Sequence, residues 1–183
     1  LALVTGNVGI SNAGVMPLYH GANEQGAIDM GVAPAMLPGH KAIGDPVAME
    51  RWSKLWGRPV PPVPGIGTPE IMRAADDGRI KAMLLLGDHA HLGDGTFGDA
   101  LGALEKLEFL VVTDAFMSEA ASNADVVFPT TVWAEKHGTF TNLERRVQRL
   151  EPALQLPEGD ARPESWVICE LARRMNANGF HYH

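Results

Sequence analysis

The sequence predicts an α/β protein, a parallel sheet flanked by helices, with a long irregular segment rich in glycine and proline ahead of it. Three observations carry that expectation. The apolar runs IKAMLLLG, EFLVVTD and ADVVFPT recur between residues 80 and 130, and such unbroken runs suit strands covered on both faces. Amphipathic stretches alternate with them, which is the order that packs crossover helices on a parallel sheet. Residues 6–67 lack either pattern and instead carry closely spaced glycines and prolines, ending in PVPPVPGIG.

Each element has its own local reason. A helix is expected over residues 45–56, where Pro46 suits a first turn and Val47, Trp52, Leu55 and Trp56 make an apolar stripe. From Thr68 the pattern becomes regular: Thr68 is placed as an N-cap, Pro69 opens the helix, Ile71, Met72 and Ala75 share a face, and Gly78 stops it. The first strand run follows, then a helix in DALGALEKLE, the second strand, a short helix over residues 118–124, and the third strand. A last amphipathic helix spans residues 164–175, with Pro163 near its start and Trp166, Ile168, Leu171 and Ala172 available for packing. The expected organisation is one α/β domain over residues 1–183, irregular over 1–67 and regular over 68–183, with a three-layer, Rossmann-like arrangement.

Composition narrows the partners. With 183 residues and no strong compositional break, one core of ordinary size is expected. The formal charge of −7 and the scattered arginines leave no basic face for nucleic acid or anionic lipid. No apolar run approaches the ~20 residues of a membrane span, and no charged-then-apolar leader opens the chain, so a cytoplasmic protein without direct membrane insertion is expected. Cys169 is the single cysteine and sits in WVICELARR, where helical spacing gives it apolar neighbours and a packing role. The opening LALVTGN has the character of a helix end running into a loop, so the chain is expected to be a piece of a longer polypeptide.

In an open α/β sheet, ligands collect beyond the carboxyl ends of the strands. Three loops answer to that position: Gly87, Asp88 and His89 after the first strand, Thr113 and Asp114 after the second, and Pro129, Thr130 and Thr131 after the third. A carboxylate there can accept from a base edge or ribose hydroxyls, and a threonine can bond a phosphate oxygen, although each residue type also serves as a helix cap. The polar run EKHGTFTNLERRVQR, residues 135–149, is a further candidate ligand loop. Gly138 is read there as a special backbone position, and Thr139, Thr141 and Asn142 as bonding groups. Asp88, His89, His91 and Asp94 lie near one another in sequence, but without a further ligand at a suitable interval they do not make a metal set. The four tryptophans are assigned to packing.

Four ordered blocks carry a resemblance: GNVGISNAGV, HGANEQGAIDMG, EFLVVTDAFMSEAASNADVVFPTTVWAEK, and the GTFTNLERRVQ run. Together they resemble the molybdopterin oxidoreductase superfamily, specifically the formate dehydrogenase catalytic subunit, over nearly the whole chain. The resemblance implies an internal domain that helps hold one of two molybdopterin guanine dinucleotides, which together carry molybdenum or tungsten. It also implies that the other domains of the parent subunit and electron-transfer subunits are the partners. Gly87 matches the family's strand-end glycine, Asp114 its aspartate and Thr130 a Ser/Thr after the proline. Asp88, His89, Gly138 and Thr139 complete the expected cofactor contacts. The iron-sulfur cysteines and the metal-binding Cys or selenocysteine are implied to lie elsewhere in the parent, so the fragment alone is expected to be inactive.

Several positions depart from the family pattern. Tyr19 stands where formate dehydrogenases carry the arginine that orients the substrate carboxylate, and Gly21 replaces a glutamine. His89 and Ala90 replace an acidic or amide residue and a proline, Thr113 replaces a glutamine, and Ser165 replaces the aspartate before Trp166. These losses keep a second reading open. The large iron-sulfur subunit of respiratory NADH:quinone oxidoreductase resembles the same superfamily and commonly retains the fold without a working molybdenum site.

Overall fold

The computed structural model describes residues 1–18, 21–87, 95, 98–155, 159–180 and 182. These gather into two compact units, one made of Leu1–Gly65 with Gly138–Leu150, the other of Ile66–His137 with Glu151–His183. The run at 138–150, which in sequence continues the regular half, thus belongs to the same unit as the glycine-rich opening.

The second unit contains the parallel sheet. Helix α3 (Thr68–Asp76) leads into β3 (Ala82–Leu86), α4 (Ala100–Leu104), β4 (Phe109–Asp114), α5 (Glu119–Ser122) and β5 (Val126–Pro129), and α6 (Glu164–Arg174) comes last. The strands lie in the order β3-β4-β5. Both pairs are parallel, with Leu84 beside Val111 and Val111 beside Val126. Alternation divides the sheet between two layers of helix. Met83, Leu85, Leu110, Val112 and Val127 pack with Met72, Ala75, Ala100, Ala103, Leu104, Ala120 and Ala121 of α3, α4 and α5 in one core. Leu84, Phe109, Val111, Val126 and Phe128 face a cleft of about 670 Å³ that Trp166, Val167 and Leu171 of α6 also line. The small residues of α4 and α5 let those short helices approach the sheet closely. Asp125 anchors the start of β5, its carboxylate accepting from the buried Leu110 N–H at 2.7 Å.

The helix ends obey local chemistry, with one correction. Asp99 and Ser118 cap α4 and α5 by accepting from Gly102 N at 3.0 Å and Ala121 N at 3.2 Å. Thr68, expected as the cap of α3, is instead its first residue; Gly67 holds the cap position without a side-chain bond. Helix α4 is also shorter than the DALGALEKLE pattern suggests. Cys169 is buried and free, as its neighbours imply.

The first unit is less irregular than its composition implies. It contains α1 (Glu24–Asp29), a minimal hairpin of β1 (Met36–Leu37) and β2 (Lys41–Ala42), α2 (Pro46–Trp56), and a second hairpin of β6 (Gly138–Thr141) and β7 (Val147–Leu150). Asp45 caps α2 by accepting from Val47 N and Ala48 N. Leu37, Ala48 and Val60 form a small core with Ile43, Met49 and Trp52 around it. Trp52 and Trp56 lie 5.1 Å apart by ring centroid, and the packing role assigned to the tryptophans fits Trp52 best, since Trp56, Trp133 and Trp166 remain about half exposed or more. The side chain of Asn23 at the start of α1 accepts from Thr141 N at 2.8 Å and so ties that helix to β6. Among the described residues, no helix is long and apolar enough to cross a membrane.

Candidate functional site

In the second unit, parallel pairing carries three of the expected site residues to one edge. Leu86 pairs with Thr113 and Asp114 with Pro129, so Gly87, Asp114 and Thr130 follow one another along the carboxyl ends of β3, β4 and β5. Gly87 turns the chain away with φ +89, a conformation that disfavours side chains, and among the described residues no atom lies within 4 Å of where its Cβ would be. The backbone there is open to close approach.

The threonines of this edge differ in their commitments. Thr113 is fully buried, and its hydroxyl accepts from Gly87 N at 3.2 Å, tying the end of β3 to β4. It is a structural clamp. Thr130 is 6% exposed and its N–H donates to Asp114 O at 3.0 Å. Thr131 is 2% exposed, and its Oγ1 has no hydrogen-bond partner among the described residues. A buried hydroxyl without a partner costs about 1–3 kcal/mol, which makes this atom an exception in need of a bonding group.

Asp114 is already half engaged. Oδ1 accepts from Phe116 N at 3.0 Å and Oδ2 from Ser118 Oγ at 2.7 Å, and both bonds order the loop leading to α5. Each carboxylate oxygen keeps a further lone pair, so the group can still accept from an N–H or O–H donor outside the loop. Two features of this edge are invisible in the sequence pattern. Phe116 and Met117 are 76% and 73% exposed, which presents apolar surface in the loop after β4. Arg162 forms an isolated parallel bridge with Thr130 and lies 5.9 Å from the Trp166 ring centroid, which places a cation next to the third strand end. Asp88 and His89, also expected at this edge, and the neighbouring His91 and Asp94, lie outside the described residues.

Gly138 and Thr139 belong to the first unit, in β6, paired with Leu150 and Arg149 of β7. The special backbone expected at Gly138 is absent: it is an ordinary strand residue, with no atom of the described residues within 4 Å of where a Cβ would be. The special position is Arg145, at φ +62. It closes the turn between the strands, where Asn142 O accepts from Arg145 N at 2.9 Å and Asn142 Oδ1 accepts from Glu144 N and Arg146 N at 3.0 Å each. The polar run is therefore a hairpin rather than a free loop. Tyr19, at the position of the family's substrate arginine, lies outside the described residues.

A second polar cluster sits beside that turn. Asp29 Oδ1 is shared by His40 Nε2 and by Gln25 Nε2, the latter at 2.9 Å, and His40 itself has φ +57. The His40 bond above all holds the Asp29 carboxyl below its ordinary 3.8; partial burial opposes it, and the Gln25 bond and the charges of His40 and Arg145 add smaller lowering effects. A depressed carboxylate contributes stability that is present above pH 3.8 and lost as pH falls through its lower folded value. Asp29→Asn is therefore expected to lower the unfolding temperature at pH 6 and to converge on the parent chain as the pH falls below the carboxyl's lowered folded value; thermal melts from neutral to acid pH check it, and a pH-independent difference would contradict it.

Comparison with known proteins places this geometry. A family model for molybdopterin oxidoreductase matches residues 1–174, and the chain belongs to that family. It is 43% identical over its full length to a putative formate dehydrogenase, YrhE, of Bacillus subtilis, of which it covers 19%. It is 41% identical to the F420-dependent formate dehydrogenase 2 subunit alpha of Methanococcus maripaludis, with 97% of this chain and 26% of that subunit aligned. The chain thus spans about a fifth to a quarter of the length of these relatives. Among solved structures it is similar to acetylene hydratase from Pelobacter acetylenicus, with a TM-score of 0.54 and 27% identity over 64% of this chain and 17% of that one. Relatives with such different printed activities mean that the fold alone does not fix the reaction.

Proposed function

We propose that this chain is an internal segment of a formate dehydrogenase-like molybdenum or tungsten oxidoreductase and contributes to holding a molybdopterin guanine dinucleotide. The observation that carries the reading is the edge formed by Gly87, Asp114 and Thr130, with the unpartnered Thr131 hydroxyl beside them. These residues fit a nucleotide-bearing group. Gly87 leaves its backbone approachable, Asp114 can accept from a base or ribose, and Thr130 offers a hydroxyl to a phosphate oxygen. Asp88 and His89 extend the same edge in sequence. When bound, the cofactor supplies the redox chemistry, while these residues bind and orient it. The formate dehydrogenase names among the relatives support this reading over that of a degenerate respiratory module. The parent would be a cytoplasmic, multi-subunit enzyme that passes electrons to partner subunits.

The test compares the full-length polypeptide with the isolated 183-residue chain. In the full-length protein, Thr130→Val combined with Asp114→Asn should lower molybdenum or tungsten content and the guanine nucleotide released on denaturation several-fold. The isolated chain should hold no stoichiometric metal, turn over no formate and bind guanine nucleotide weakly, because a half-site gives up both contacts and water exclusion. Metal analysis and calorimetric titration read both arms. Unchanged cofactor content in the double variant would refute the assigned edge, and tight nucleotide binding by the isolated chain would refute its dependence on the rest of the parent.

A further inference from the structure

The two faces of the parallel sheet are built alike and covered unlike. On one face the strands pack beneath α3, α4 and α5. On the other, among the described residues, only α6 stands over them, and the cleft of about 670 Å³ remains between. Strand β3 shows the difference within five residues: Met83 and Leu85 join the core, whereas Leu84 and Leu86 stay exposed. Phe109, Phe128 and Trp166, which continue the cleft, are each close to half exposed. Strands apolar on both faces belong to sheets covered on both, so this face is short of a layer.

The charged residues of the lining sit at its α6 rim and are Glu170 and Arg174. Arg174 Nε lies 3.7 Å from Glu170 Oε2, and the same carboxylate also pairs with Arg173. One carboxylate serves two guanidiniums, which leaves a net positive charge beside the apolar floor.

We propose that this cleft seats an amphipathic helix supplied by the same polypeptide outside residues 1–183, apolar toward the sheet and carrying a carboxylate toward Arg174. The proposal goes beyond cofactor binding and rests only on the reading of the chain as an internal segment. The chain spans 19% of the Bacillus relative and 26% of the methanococcal subunit, so the larger part of such a protein is available in cis. A tethered segment meets the face at an effective concentration on the order of millimolar. A strand of five residues is ~17 Å long, the rise of about eleven helical residues, and a helix about 10 Å wide covers two strands. Three turns beside α6 therefore complete the layer. A second copy of the chain fits less well, because a two-fold contact sets cleft against cleft and leaves the hollow unfilled.

The experiment uses the full-length polypeptide with Phe109 replaced by p-benzoylphenylalanine, irradiated and analysed by peptide mass spectrometry. The expected product keeps the monomer mass and joins position 109 to an apolar, helix-forming peptide that contains Asp or Glu and lies outside residues 1–183. A cross-link to a second copy, to another subunit or to residues 1–183, or none at all, overturns the proposal. Hydroxyl-radical footprinting of the unsubstituted full-length protein gives an independent reading should the replacement disturb folding. Trp166 and Phe128 should oxidise at least fivefold more slowly than exposures of 46% and 42% dictate; oxidation at the rate of those exposures overturns the covering helix. Arg174→Glu should raise Trp166 oxidation severalfold and Arg174→Gln less, and no rise in either overturns the carboxylate assignment. Metal analysis of the same samples separates this proposal from the cofactor reading. Protection at Trp166 without molybdenum or tungsten sinks the cofactor alone, and a metal-loaded protein open at Trp166 sinks the covering helix alone.

Discussion

Gly31→Ala is expected to destabilise the first unit by about 3–5 kcal/mol, adding the left-handed penalty to that of a forced overlap. Gly31 follows α1 at φ +83, and an added Cβ would stand 2.8 Å from both the Cδ and the N of Pro38 and 3.1 Å from the Leu37 carbonyl carbon. Those atoms cannot yield easily. The ring fixes Pro38, Leu37 is 4% exposed in the small core, and Gly39 N donates to Asp29 O at 2.8 Å on the other side. Hydrogen exchange should therefore show lost protection over α1 and the β1–β2 hairpin together, including the cluster of Gln25, Asp29 and His40. Retention of parental protection in the variant would mean that this close approach does not constrain the unit.

Leu104→Ala should cost about 3 kcal/mol, within the range seen when a large buried aliphatic is truncated. Leu104 is 1% exposed at the end of α4, and it packs among Met72, Ala75, Leu110 and Val112. Its fully buried neighbours on α4 and α5 are the alanines Ala100, Ala103, Ala120 and Ala121, which have no longer side chain to swing into the space. The cavity should therefore stay open rather than collapse, which argues for a cost above the bare transfer value. Chemical denaturation is the direct measurement. A loss under 1 kcal/mol would show that the short helices slide to close the gap.

Both predictions depend on features that the sequence displays unevenly. The parallel strands were legible because AMLLL, FLVV and VVF are apolar on both faces, and only a sheet covered by helices on two sides calls for that. The edge bearing Gly87, Asp114 and Thr130 followed from the same logic, since parallel strands bring their ends together. The commitments within the edge did not. Thr113 and Thr130 are equivalent as letters, yet one hydroxyl clamps β3 while the other residue sits at the end of β5; only the register distinguishes them.

The first unit was illegible for physical reasons. The six residues of α1 bury none of their number, so no periodic apolar face announces the helix. Strands β6 and β7 are mostly exposed, and their turn contains Asn142, Leu143, Glu144 and Arg145 where a glycine-containing turn would have signalled a hairpin. The pairing of Asp29 with His40 joins residues eleven apart across a glycine turn, which no local rule anticipates.

The inclusion of residues 138–150 in a unit that otherwise ends at residue 65 has a consequence for synthesis. A ribosome adding ~5–20 residues per second must make the whole stretch 66–137 before β6 emerges, a delay of roughly 4–14 s. During that interval Asn23 lacks the Thr141 N–H it accepts from, and α1, too short to persist alone, has no strand to rest on. The nascent opening segment thus stays incomplete until its missing ribbon is translated, while the strands that follow it can already begin to pair.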